Sequence, residues 1–176
     1  MADFVSPNSS ELLAYWQSQR QGSRLPASED FFDHVPPNLA PSLILFEIIG
    51  EALIVRFLGT QLVERWGKDL TGKNWLDFNA QVNPVSLRSN FLMLNQHPCG
   101  GTALGGFVTS TGRNLNVETS SYPLGVRANR TPRVICGTFS LEALGYDEHS
   151  RGWSPPRTLQ WVDVGFGVPA VDPLPP

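Results

Sequence analysis

The chain has 176 residues, 41% of them hydrophobic, enough to bury one sizeable core, and reads as a single compact domain. Its 13 lysines and arginines against 16 aspartates and glutamates leave a formal charge of −3, which argues against a phosphate-backbone footprint or a polybasic patch, so neither nucleic acid nor a membrane is an expected partner. No apolar run reaches the roughly 18 to 20 residues of a membrane span, no basic-then-apolar leader opens the chain, and Cys99 and Cys136 show neither metal-ligand spacing nor a disulfide framework; the expectation is a cytoplasmic protein with reduced thiols.

The first predicted element is an amphipathic helix from Ser9 or Ser10, with Leu12, Leu13 and Trp16 on one stripe and Gly22 as its stop. A proline-containing strap runs from Leu25 to Pro41. Two β-branched, apolar runs then flank Gly50-Glu51, which reads as a hairpin with a two-residue turn that needs positive φ at the glycine. Pairing Ile49 with Ala52 sets Ile48 against Leu53, Phe46 against Val55 and Ile44 against Phe57, an apolar face destined for the core. The other face carries Leu43, Leu45, Ile49, Ile54 and Leu58, with Glu47 and Arg56 diagonally within ion-pair reach. It is too apolar for open water and needs a cover.

A short helix follows from Thr60 to Gly67, the latter a C-terminal stop. Asn83-Pro84 opens a longer helix with Leu87, Phe91 and Leu94 on one face, ended by His97-Pro98. Strand signals then occupy about residues 103–111, 115–122 and 133–144. Residues from Arg157 to Val164 are strand-like, and the proline-rich segment from Pro169 onward is expected to fray. The chain divides into an N-terminal helix and strap (1–41), a core (42–145) and a C-terminal extension with an extra strand and tail (146–176).

Strand, strand, helices, then three strands predicts an α+β fold, a five-stranded antiparallel sheet with helices on one face. The run Val55-Arg-Phe-Leu-Gly-Thr60, followed by Leu62-Val-Glu-Arg-Trp-Gly-Lys-Asp-Leu-Thr-Gly-Lys73, resembles the signature of bacterial single-domain PAS proteins, as do Tyr15-Trp16, Arg20, Gly22 and Leu25-Pro26 upstream. The resemblance covers about residues 12–145. It implies a non-catalytic sensory or interaction module of bacterial signalling.

Gly67-Lys-Asp-Leu-Thr-Gly-Lys73-Asn74 comes one residue short of a phosphate-binding loop. Asn74 stands where a magnesium-holding hydroxyl belongs, and the segment follows a helix where the motif requires a strand, so a helix stop and a turn account for both glycines. His34, His97 and His149 show no metal-ligand spacing. No cofactor is expected; His97 is the one candidate axial ligand should a haem occupy the fold, because haem-binding members place such a histidine in this helix. The reactive-cysteine motif of flavin photosensors of this fold has no counterpart here.

A PAS fold implies a cavity between sheet and helices, and the aromatic residues expected to line it are Phe46, Phe57, Trp75, Phe78, Phe91, Phe107 and Phe139, with Arg88 as a candidate partner for a ligand carboxylate. The ligand class is a small apolar or aromatic molecule. Leu12, Leu13, Trp16, Leu45 and Ile54 form the candidate interface, either a homodimer or signalling-partner contact or a cover supplied within the chain. Two other readings remain: a ligand-free interaction or localisation adaptor, and an enzyme on a cone-like α+β fold whose open cavity is lined by histidine and aspartate.

Overall fold

Residues 3–79, 81–126 and 131–175 are described by the computed structural model. The elements are α1 (Pro7–Ser18), β1 (Leu43–Ile49), β2 (Ala52–Leu58), α2 (Thr60–Trp66), a 3-10 turn (Trp75–Phe78), α3 (Pro84–Gln96), β3 (Gly100–Val108), β4 (Arg113–Leu124), β5 (Arg133–Tyr146), β6 (Gly152–Trp153) and β7 (Thr158–Val162). They form one antiparallel sheet in the order β2-β1-β5-β4-β3, and the free edge of β3 is shared by β6 at Phe107 and Val108 and by β7 at Gly100 to Leu104. Among the described residues seven strands stand where five were expected, because the C-terminal extension contributes two to the same sheet.

The β1–β2 hairpin turns as its sequence requires, with Gly50 at φ 56, and Ile49, Ile48 and Phe46 meet Ala52, Leu53 and Val55. Beyond Phe46 the register slips: Leu45 pairs with Phe57 and Ile44 with Leu58. The slip leaves Arg56 as the extra residue of a bulge, and a bulge reverses the faces of everything after it. Leu58 therefore joins the helix-side core and Phe57 turns to the opposite face, the reverse of simple alternation.

On the helix side, Ile44, Phe46, Val55, Val134 and Cys136 of the sheet pack with Leu62, Phe91 and Leu94 of the helices. Asn83 caps α3 by accepting hydrogen bonds from the amides of Val85 (3.0 Å) and Ser86 (3.2 Å), with Pro84 in the first turn. Gly67, at φ 69, ends α2 in the left-handed conformation. The turn after it covers the β2 edge: Val55 donates its amide to the Lys73 carbonyl (3.0 Å) and accepts from Gly72 (2.8 Å), while Asp69 takes the amide and hydroxyl of Thr71. The amides of Thr71, Gly72 and Lys73 in the phosphate-loop look-alike are thus spent on sheet and turn hydrogen bonds.

The other face of the sheet is covered from within the chain. Leu12, Tyr15 and Trp16 of α1 and Phe31 and Leu39 of the strap pack on Leu43, Leu45, Ile135 and Phe139. Trp16 donates its indole N–H to the Pro123 carbonyl at 2.8 Å. Helix α1 begins at Pro7, earlier than Ser9 or Ser10, and its start is anchored by a carboxylate from the sheet: Glu118, only 1% exposed, accepts from the amides of Val5 (2.9 Å) and Ser6 (2.8 Å). Leu12, Trp16 and Leu45 are consequently core residues; the expected interface face is closed by the molecule's own helix, with Leu13 packed at its margin and Ile54 half-buried opposite Glu47.

The tail is tethered where fraying was expected. Trp161 donates to the Val171 carbonyl at 2.7 Å, and the Asn90 side chain of α3 makes two hydrogen bonds to the Leu174 backbone, at 2.7 and 2.9 Å. Among the described residues, no helix is long and apolar enough to cross a membrane.

Candidate functional site

A cavity of about 110 Å³ lies between the sheet and the helices. Its wall is a train of rings in mostly edge-on contact: Phe91 against Phe46 (5.5 Å between centroids), Phe46 against Trp75 (5.8 Å), Trp75 against Trp66 (6.3 Å), Trp66 against Phe107 (5.1 Å) and Phe107 against Trp153 (6.0 Å). Leu159 and Trp161 of β7 complete it. The C-terminal extension therefore builds one wall of the cavity.

Among its polar groups are side chains from the inner face of β4 and β5 and from α2. The hydroxyls of Thr119 and Thr138 lie 3.4 Å apart, and Ser121 Oγ lies 3.1 Å from Cys136 Sγ. Burial, partly offset by Ser121, pushes the Cys136 thiol up to about 12, and burial beside Asp163 pushes Cys99 to about 11, so both remain protonated at neutral pH. Arg65, 7% exposed, donates to the Thr138 carbonyl (3.0 Å) and to Gln61 Oε1 (2.8 Å). Burial lowers its pKa, yet a guanidinium keeps its charge.

A family model described as a PAS domain matches residues 4–139, well over half of the chain. The chain belongs to the PAS domain family. Among solved structures, one from work on a fungal LOV domain photoreceptor is similar, at 14% identity and a TM-score of 0.43, covering 75% of this chain and 90% of that one. No curated protein matches.

Within this PAS domain, Phe46, Trp75, Phe91 and Phe107 line the cavity as expected. Phe57 and Phe139 do not. The bulge at Arg56 sends Phe57 to the outer face, where its ring lies 4.5 Å from that of Phe32. Phe139 is set to the same outer side by the β4–β5 pairing, opposite Glu118. Phe78 packs at the edge of the helix-side core beneath the Lys68 ammonium, 4.2 Å from its ring centroid. Arg88 points to the hairpin and donates to the Gly50 carbonyl, so it is a loop clamp away from the cavity. His97 ends α3 as its C-cap and approaches Gly167, outside the cavity lining.

Sequence reasoning missed Arg65, Cys136, Trp153 and Trp161 in this wall. Arg65 had a readable signal: it follows Leu62 by three residues and precedes Trp66, so it shares their helix stripe. Trp153 and Trp161 had none, because their placement depends on pairing with β3 some fifty residues earlier in the chain. Among the described residues, no group of histidine, cysteine and acidic side chains is arranged to hold a metal ion.

Proposed function

We propose that this PAS domain is a non-catalytic sensory module of bacterial signal transduction, working in the cytoplasm, whose cavity holds a small apolar or aromatic molecule. The observation that carries the reading is the ring-lined cavity itself, an apolar enclosure with few polar groups, the usual make-up of a small-molecule site. An engineered apolar cavity of about 150 Å³ takes up benzene. The present one, at about 110 Å³, suits a ligand of a single ring or a short branched chain.

Residues 42–145 serve as the sensing core, 1–41 as the cover of the outer face and 146–176 as the output segment. Asn90 and Trp161 support that division: both line the cavity and both hold the tail. A ligand that moves either side chain shifts the balance between a docked and a released tail. The tail exposes Val168, Val171 and Leu174, apolar side chains suited to a signalling partner or a second copy. The enzyme reading called for histidine and aspartate in the cavity, and its described lining holds neither.

Native and denaturing mass spectra of freshly purified protein, with an absorption spectrum of the same sample, test the proposal. The expected result is a mass excess that disappears on denaturation. Bare protein with a featureless visible spectrum would overturn the sensor reading in favour of a ligand-free interaction adaptor.

A further inference from the structure

Among the described residues three charged side chains are buried, Glu47, Glu118 and Arg65. Glu47 is paired with Arg56 and Arg133 and receives the Thr131 hydroxyl, and Glu118 takes two backbone amides at the start of α1. Arg65, like Glu118, has no counter-charge among the described residues, but of the three it alone lines the cavity. Its two hydrogen bonds go to neutral oxygens, the Thr138 carbonyl and Gln61 Oε1, and no carboxylate among the described residues forms an ion pair with it. Two of a guanidinium's five N–H groups are thereby used. A buried cation left without a counter-charge is costly, and such groups in native proteins are ordinarily paired. Gln61 adds no charge, and its Oε1 is already shared with the Ser42 hydroxyl.

We infer that Arg65 is the anchor for an anionic ligand, and that the cavity's natural occupant is a small aromatic or branched-chain monocarboxylate, its body among the rings and its carboxylate on the guanidinium. The inference rests on the sensory reading above and specifies its ligand class. A carboxylate supplies the planar, doubly accepting head that a guanidinium binds best. The Thr119 and Thr138 hydroxyls, beside the carbonyl that Arg65 already holds, are further donors for it. A phosphate ester fits less well: it carries more charge than one arginine offsets, and a cavity of about 110 Å³ is filled by one ring and its substituent. Burial's downward pull on the Arg65 pKa has the same sign as the missing counter-charge.

The test compares benzoate with benzamide, its uncharged near-isostere, by calorimetric titration of the full chain stripped of any co-purified molecule. Benzoate should bind at least about tenfold more tightly than benzamide. Arg65→Gln should abolish the preference for benzoate over benzamide, and Arg65→Lys should retain part of it. The wild-type comparison decides the matter even if the variants fold poorly. Equal affinities, or tighter benzamide binding, would overturn the anionic anchor while leaving a ligand-binding cavity intact. Failure of both probes to bind at millimolar concentration would overturn the carboxylate inference, and the mass spectra would then decide separately whether a different ligand is present.

Discussion

A β-carbon placed on Gly59 would lie 2.4 Å from the Pro41 carbonyl oxygen and 2.5 Å from that of Ala40. The obstruction is backbone on both counts, so no rotamer change relieves it. The residue's φ of −63 is open to any side chain, and the requirement for glycine is therefore one of space between β2 and α2. Gly59→Val should cost at least about 3 kcal/mol, the upper end of overpacking penalties, read as a lowered urea midpoint with an unchanged m-value. A variant as stable as the parent would mean that the strap carrying Pro41 is free to move away. Arg65 makes a related point. Its position on the Leu62–Trp66 stripe was legible, but its lack of a partner acid was not, since ion pairing depends on which strands and loops come to surround it.

At the scale of elements, the β1–β2 bulge does two things at once. It turns Phe57 onto the outer face, and it leaves Arg56 beside Glu47, where Arg133 and Thr131 also converge. Burial by itself would raise the Glu47 pKa; the Thr131 hydroxyl, Arg56 and Arg133 outweigh it and hold the carboxyl below its ordinary value. A carboxyl depressed in this way adds stability that is fully present above its unfolded pKa and is lost as pH falls through the folded one. Glu47→Gln should therefore lower stability by about 1–2 kcal/mol near neutral pH. The gap between variant and parent should close under acid conditions, below the usual glutamate range, in urea midpoints measured across pH. A pH-independent gap would show that shape, and not charge, is what Glu47 provides. The diagonal Glu47–Arg56 pair was readable from hairpin spacing; the bulge was not, because an extra residue is tolerated or refused according to what packs on each face.

The molecule as a whole is a sheet with two covered faces, and the outer cover comes from its own α1 and strap. Trp16 is the centre of that cover, fully buried, bonded to the Pro123 carbonyl and 5.8 Å from the Tyr122 ring. Trp16→Glu should cost about 3–5 kcal/mol, within the range for removing a buried large aromatic, and should increase self-association as Leu45, Ile135 and Phe139 lose their cover. Thermal melting and light scattering together check this. If melting temperature and association state are both unchanged, α1 is not the lid of this face. Tyr122 and Glu118 lie beneath this lid on the side away from the cavity.

The sequence alone determined whatever depends on near neighbours. The hairpin and its turn, the glycine stop of α2, the capped start of α3 and the order of elements that marks a PAS domain all follow from period, caps and turn chemistry within a few residues of each other, and the resemblance to that family implied the cavity that Phe46, Trp75, Phe91 and Phe107 line. Only the tertiary structure decided which face Phe57 and Phe139 take, that Glu118 anchors α1, that β6 and β7 close the cavity with Trp153 and Trp161, and that Arg65 is buried in its wall without a counter-charge. Each of these joins segments far apart in the chain. Local preferences are silent about such pairings, which are selected by the packing and charge of the assembled core.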